Sequence, residues 1–201
     1  MKVDNVKNHR QSGYLLTRRI VSWAKWFVEQ EVSPGDICVD ATVGNGNDTL
    51  FLAECAGAQG RVYGFDIQSN AIENTKQKLA AAGMQKRVSL IQNSHAFMGN
   101  YLAPGTIKAV MFNLGYLPGG NPDLITEPES TVQALDAALH LLQKGGIITV
   151  ASYRGHAGAT EEYTSVNKFL TKLNSEKYKV LRLEPINHDN LPPVLFVAQR
   201  Y

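Results

Sequence analysis

A mainly parallel α/β sheet, closed by an antiparallel hairpin, is the fold this 201-residue chain predicts. Three observations carry that expectation. Apolar strand-like runs alternate with helical patterns from Ile37 to Leu173. A glycine loop, Gly44-Asn45-Gly46, joins the first such strand to the helix after it. The last two strand patterns, Tyr178 to Pro185 and Val194 to Tyr201, are separated by too few residues for a crossover helix, so they must pair antiparallel.

The elements follow in order. An amphipathic helix is expected from about Leu16 to Gln30, with Ile20, Trp23, Ala24 and Phe27 on its apolar face. Ser33-Pro34-Gly35-Asp36 then turns the chain into a strand at Ile37-Cys38-Val39, and a helical pattern runs on through Leu50, Phe51 and Ala53. Val62 to Phe65 is a second strand ending in Asp66, and the helix from Ser69 to Ala82 stops at Gly83. Val88 to Ile91 and the strongly apolar Ile107 to Phe112 are the third and fourth strands, the latter central. Pro128-Glu129-Ser130 opens a helix to about Leu142, and Gly145-Gly146 breaks it before a fifth strand at Ile147 to Ala151. The last helix runs from about Ala159 to Leu173. With no repeat, low-complexity tract or linker, residues 1–201 read as a single domain with an N-terminal helical extension over about 1–32.

Composition narrows the class. At 44% hydrophobic and 19% charged residues the chain suits one globular α/β unit with an ample core. No apolar run approaches the roughly 18 residues of a membrane span. The first residues, Met1-Lys2-Val3-Asp4-Asn5, lack the apolar core of a signal peptide, which predicts a cytoplasmic protein. Cys38 and Cys55 have no metal-ligand spacing and read as buried thiols, so no metal is expected. The net charge of +2 is too slight to establish a nucleic-acid partner. Lys7, His9, Arg10, Arg18, Arg19 and Lys25 nevertheless cluster before the first strand, opposed only by Asp4, as a modest footprint for phosphate.

The glycine loop indicates the chemistry. Asp66 lies 22 residues beyond Gly44, where a carboxylate accepts hydrogen bonds from both hydroxyls of a ribose. An adenosine-containing cofactor across the ends of the first two strands is the implication. A dinucleotide fingerprint would place a third small residue at Thr49 and would not set Asp48 against a pyrophosphate. Asp40 and Asp48 suit a ligand that carries an ammonium group and a sulfonium, which describes S-adenosylmethionine. The pattern D-x-x-x-G-x-G resembles the first motif of class I methyltransferases, whose Rossmann-like seven-stranded sheet also ends in an antiparallel hairpin. The expected cofactor residues are Asp40, Thr42, Gly44, Asn45, Gly46, Asn47, Asp48, Thr49, Asp66, Ile67, Gln68, Ser94, His95, Asn113 and Gly115.

The fourth strand ends in Asn113-Leu114-Gly115-Tyr116. This resembles the [D/N]-P-P-[Y/F] motif of nitrogen-directed methyltransferases, with Leu114-Gly115 replacing the two prolines. There the Asn carboxamide and a nearby backbone carbonyl hold the target amine while the aromatic ring packs on the substrate. Asn113 and Tyr116 are the expected catalytic residues; the missing prolines leave the carbonyl geometry unsettled. Tyr153-Arg154-Gly155-His156 and Asn187-His188-Asp189-Asn190 are loops on the same edge of the sheet. His156 is the candidate for a proton-accepting residue, with a solvated loop histidine as its alternative; His140 reads as structural. Arg10, Arg18, Arg19, Tyr116, Pro118, Tyr153, Arg154, His156, Asn187 and Asn190 are the expected substrate-binding residues.

From Ser12-Gly13 through D-A-T-V-G-N-G-N-D-T, N-L-G-Y-L-P-G-G and Y-R-G-H-A-G to the final N-L-P-P, the chain resembles the family first catalogued as ribosomal RNA methylases. Its characterised members convert 5-aminomethyl-2-thiouridine at the wobble position of tRNA to 5-methylaminomethyl-2-thiouridine. That resemblance implies a tRNA anticodon stem-loop as partner, and a homodimer would widen the basic surface. The alternatives are a methyltransferase for ribosomal RNA or for a small-molecule amine. A nicotinamide dehydrogenase is opposed by Thr49 and by the terminal hairpin, and a non-catalytic cofactor-binding protein would be indifferent to Asn113.

Overall fold

The structure, a computed structural model, describes residues 19–115, 126–155, 158–188 and 191–201. Of the expected site residues, Arg10, Arg18, Tyr116, Pro118, His156 and Asn190 lie outside the described residues. Seven strands form one sheet: β1 (Ile37–Asp40), β2 (Arg61–Asp66), β3 (Val88–Gln92), β4 (Ile107–Leu114), β5 (Leu142–Ser152), β6 (Tyr178–Leu183) and β7 (Val194–Arg200). The helices are α1 (Ile20–Glu31), α2 (Asn47–Ala56), α3 (Ser69–Ala81), α4 (Pro128–Leu141) and α5 (Ala159–Leu170).

The strand order is β3-β2-β1-β4-β5-β7-β6. The pairs among β1 to β5 are parallel, whereas β7 is antiparallel to both β5 and β6. The expected hairpin is therefore present, with the later strand inserted inside the earlier one. One face of the sheet is covered by α1 and α2, through Ile20, Ala24, Val28, Leu52 and Ala53. The other is covered by α4 and α5, through Ala134, Leu135, Ala138, Val166 and Leu170. Strands β1 and β4 lie between these layers and are almost wholly buried, which is why they read as apolar runs.

Local signals explain most boundaries. Gly83 takes φ 67° and donates to the Ala80 carbonyl while Met84 donates to Leu79, the paired bonds of a glycine-terminated helix. Three boundaries differ from expectation. The first helix begins at Ile20 and not near Leu16, because Arg19 is extended and stands at its N-terminal cap. The helix α4 ends at Leu141, and Leu142 already pairs with Ile107 in the sheet. Gly145-Gly146 is therefore an irregularity within β5, where a side chain on Gly146 would meet the Ile107 and Gln143 carbonyls, and not a helix breaker. The helix α5 stops three residues earlier than its apolar pattern suggests. Among the described residues no helix is long and apolar enough to cross a membrane.

Strand order reverses between β1 and β4, and in open α/β sheets ligands bind at the carboxyl ends beside that reversal. Asp40 and Asn113, on those two neighbouring strands, end up at that crevice, with Asp66 one strand further out.

Candidate active site

The loop after β1 is held by a dense set of backbone and side-chain bonds. Gly44 and Gly46 both adopt left-handed φ, at 51° and 72°. For Gly46 the structure gives a second reason for glycine. A Cβ there would lie 2.5 Å from the Thr75 hydroxyl on α3, so the close approach is to a helix of the same chain. The Gly44 N–H donates to Asp66 Oδ2 at 2.8 Å and the Gln68 N–H to Asp66 Oδ1 at 2.9 Å. An ionised carboxylate has about four acceptor positions. Asp66 thus keeps capacity for two ribose hydroxyls while its orientation is locked by the loop it serves. Next to it, Ile67 is 55% exposed, an apolar surface of the kind a flat base covers.

Asp40 is buried at the end of β1, accepting from Thr49 Oγ1 at 2.5 Å and from the Thr42 N–H at 3.1 Å. Burial, and next the nearby Asp48 carboxylate, push its pKa up from 3.8 to about 7, against the opposing effect of the Thr49 hydrogen bond. The sign follows directly. The folded chain holds this proton more tightly than the unfolded one, so the associated stability is fully present below 3.8 and is lost as pH rises through about 7. A cationic ligand at Asp40 favours the carboxylate and expels the proton. We therefore expect S-adenosylmethionine to bind about tenfold more weakly at pH 6 than at pH 8, with proton release in the acidic range. Calorimetric titration in buffers of different ionisation enthalpy measures both; a pH-independent affinity would remove Asp40 from the binding reaction.

Two lysines grip the loop from opposite sides. Lys25 of α1 pairs with Asp48 at 2.9 Å, donates to the Asn47 carbonyl at 3.2 Å and sits over the Phe51 ring. Lys78 of α3 donates to the Asn45 carbonyl at 2.5 Å and to Asn47 Oδ1 at 2.6 Å. This revises the reading of Lys25 as part of a phosphate-facing cluster, because its charge is committed to Asp48. It also gives Asp48 a partner within the chain. Neither pairing is legible in the sequence, and Lys78 is not singled out there at all, because long-range pairs leave no local pattern. Removing Lys25 leaves two neighbouring buried acids with no counter-charge. Lys25→Met should lower stability by about 1–3 kcal/mol, between the values for exposed and buried pairs. Thermal unfolding at pH 8 and pH 5 checks it, since the loss should shrink at acid pH as Asp40, whose pKa is pushed up to about 7, takes up its proton.

Four further expected residues lie along the same edge. His95 is buried, with Nδ1 3.0 Å from the Ala41 carbonyl. A carbonyl only accepts, so Nδ1 carries the proton, and burial lowers the ring pKa and keeps it neutral. Its Nε2 is buried without a partner among the described residues, an acceptor that suits an amino donor such as the one adenine carries. Ser94 caps the short helical turn after β3, accepting from the Ala96 N–H. Asn113 donates its N–H to Thr42 Oγ1 at 2.8 Å, which ties the end of β4 to the loop after β1. Gly115 follows at φ 137°, its N–H donated to Thr126 Oγ1 at 3.1 Å.

The substrate side is partly rearranged. Arg19 and Tyr153 both lie close enough to influence one another electrostatically. The Tyr153 pKa is raised by burial first and by Asp48 second, with Arg19 opposing. Tyr153 stays 37% exposed, beside the cofactor loop. Arg154, expected at a phosphate, is instead engaged internally. It pairs with Glu184 at 2.7 Å, donates to the Pro192 carbonyl at 2.9 Å and lies over the Tyr163 ring. It ties the loop after β5 to the β6–β7 connection. Asn187 is exposed on that connection, beside Ile186, which is 95% exposed.

Acceptors for ribose at Asp66, the apolar surface of Ile67, the lone acceptor of His95 and the buried charge site of Asp40 fit S-adenosylmethionine. With the sheet order and the inserted antiparallel strand, they define a class I S-adenosylmethionine-dependent methyltransferase. Comparison with known proteins agrees and is more specific. A family model described as "Putative rRNA methylase" matches residues 62–199, and the chain belongs to that family. A chloroplastic tRNA (mnm(5)s(2)U34)-methyltransferase of Arabidopsis thaliana is 37% identical over 198 residues, 94% of this chain and 72% of that protein. The crystal structure of a "putative rRNA-methylase" from Clostridium thermocellum superimposes with a TM-score of 0.89 at 44% identity, covering 92% of this chain and 98% of that one. The structure of "a putative methyltransferase" from Streptococcus mutans, in complex with SAH, gives 0.83 at 33% identity, covering 92% and 99%. Among the described residues no cluster of His, Cys, Asp or Glu could hold a metal ion.

Proposed function

We propose that this enzyme methylates the exocyclic amine of 5-aminomethyl-2-thiouridine at the wobble position of tRNA. The observation that carries the reaction type is the position of Asn113. It stands at the carboxyl end of β4, two residues beyond the Met111 that pairs with Asp40, with its backbone fixed on Thr42. The likeness to the Arabidopsis enzyme, along nearly the whole of this chain, supports the substrate.

When bound, S-adenosylmethionine supplies a methyl group on a sulfonium, a reactive electrophile. The protein's own task is to bind, align and exclude water. The Asn113 carboxamide oxygen and the Leu114 carbonyl are suited to accept from a neutral amine and aim its lone pair. Holding the reactants in line accounts for much of the acceleration. An alkylammonium titrates near the lysine value of about 10.4. The electron-withdrawing uracil and a partly desolvated pocket lower it, so a dedicated base is not required. In this reading Tyr153 stacks on a base splayed out of the anticodon loop and Arg19 meets a phosphate; the partial exposure of Tyr153 supports it. A second copy of the chain would enlarge that basic surface.

The test is transfer of labelled methyl to unmodified tRNA and to tRNA that carries aminomethyl-thiouridine, followed by nucleoside mass spectrometry. Methylaminomethyl-thiouridine from the second tRNA alone is the expected result. Transfer to ribosomal RNA or to free amines, with none to either tRNA, overturns the proposal.

A further inference from the structure

Helix α5 carries a carboxylate where its neighbours are apolar. Ala159, Val166 and Leu170 line its buried face, and Glu162, at helical spacing among them, is only 2% exposed. A buried carboxylate is costly unless it is hydrogen-bonded. Here Thr131 Oγ1 donates to Oε1 at 2.7 Å, and Thr126 Oγ1 donates to Oε2 at 2.8 Å.

The Thr126 bond has a directional consequence. Its single hydroxyl proton goes to the carboxylate, so its oxygen faces the other way as an acceptor, and there it receives the Gly115 N–H at 3.1 Å. The Thr126 N–H closes the circuit by donating to the Gly115 carbonyl at 3.1 Å. Gly115 is thus joined to Thr126 by two hydrogen bonds, in a chain of bonds that polarise one another toward a fixed charge. The peptide so held is Leu114–Gly115, the one that carries the Leu114 carbonyl. In the proline-containing form of this motif, ring constraints would orient that carbonyl. Gly115, at φ 137°, has no such constraint of its own.

We propose that Glu162 is a positioning residue for methyl transfer: acting through Thr126, it holds Gly115 and thereby directs the Leu114 carbonyl at the target amine. This rests on the reading of Asn113 and Leu114 as the amine-binding pair. The described hydrogen bonds of Glu162 run to Thr126 and Thr131, so its effect on the reaction is exerted through Thr126. By accepting from Thr126 it sets the polarity of the clasp, and the clasp replaces the missing prolines.

The experiment uses the full chain with Thr126→Val, Thr126→Ser and Glu162→Gln. Valine keeps the shape of Thr126 but leaves the Gly115 N–H without its acceptor, whereas serine restores the hydroxyl. Single-turnover methyl transfer should fall on the order of tenfold to a hundredfold in Thr126→Val, the scale of a misalignment near 1 Å. Serine should recover most of it, and S-adenosylmethionine affinity should change less than twofold in all three. Glu162→Gln should lie between valine and wild type. Amide exchange provides a readout independent of activity: Gly115 and Thr126 should exchange faster in Thr126→Val and Glu162→Gln, with β1 and β2 unchanged. Wild-type rates in Thr126→Val, or unchanged exchange at both amides, overturn the proposal. A uniform loss of stability and cofactor binding, not rescued by serine, also overturns it. If the wild-type enzyme methylates no tRNA, the substrate assignment fails on its own, and the exchange measurements still decide whether Glu162 holds Gly115.

Discussion

Asn113→Ala should abolish most methyl transfer while leaving the cofactor site intact. The backbone bond from Asn113 to Thr42 does not depend on the side chain, so the junction between β4 and the loop after β1 survives the substitution. What disappears is the carboxamide acceptor that aims the amine. Loss of a single preorganised polar group at a reacting centre costs about 10²–10³ in turnover. Turnover with saturating tRNA should fall by that factor, with the affinity for S-adenosylmethionine, measured by titration, within about twofold of wild type. Asn113→Asp makes the assignment sharper. A carboxylate would hold the amine as an ammonium ion, which has no lone pair, so activity should return only toward alkaline pH. Equal loss of cofactor binding and turnover in Asn113→Ala would instead mark Asn113 as part of the cofactor pocket alone.

Gly46→Ala should disable the enzyme at an earlier stage. Left-handed backbone costs a non-glycine residue roughly 1–2 kcal/mol. The new Cβ would also sit 2.5 Å from Thr75 Oγ1 and 2.7 Å from its Cγ2, and Thr75 is fully buried, with nowhere to move. Overpacking of that kind adds about 1–3 kcal/mol. Relief by local rearrangement would displace Gly44, whose carbonyl accepts from Thr75 and whose N–H holds Asp66. Cofactor affinity should therefore fall together with stability. Thermal unfolding and cofactor titration of Gly46→Ala, Thr75→Ala and the double variant separate the two causes. The double variant should recover the steric part, giving a favourable coupling of about 1 kcal/mol or more, and leave the backbone part. Additive losses would show that the helix and the loop do not compete for that space.

The contrast between these two sites shows what a single sequence makes legible. The alternation of strands and helices, the glycine loop and the terminal hairpin are all local patterns, and each is found within a few residues of its expected place. The position of Asp66 and Asn113 at strand ends, where an open sheet gathers its ligands, is legible because each closes an apolar run. The commitments of Lys25, Lys78 and Arg154 were not legible. A basic side chain in a helix or loop has no pattern that says whether it meets solvent, a phosphate or an acid more than 20 positions away. Glu162 is intermediate. An acid falling within the apolar stripe Ala159, Val166, Leu170 is a readable anomaly, yet its partners Thr126 and Thr131 depend on how α4 packs against α5. The boundary at Leu142 was missed because helix and buried strand share the same apolar residues at that junction.

The insertion of β7 between β5 and β6 has a consequence for biosynthesis. Every expected cofactor residue, from Asp40 to Gly115, emerges from the ribosome well before Val194. Strand β6 emerges earlier too, but among the described residues its one partner in the finished sheet is β7. Until residues 194–200 are made, β5 presents an open edge, and Val194 to Ala198, all buried in the final sheet, are missing from its flank. Arg154 likewise awaits Pro192 before it can draw the loop after β5 into place. The nascent chain thus completes the strands that carry Asp40, Asp66 and Asn113 first and the β6–β7 flank last. A chain that ends within β6 contains every residue from Asp40 to Gly115 but leaves the β5 edge unpaired, the kind of edge that invites aggregation and recognition by chaperones.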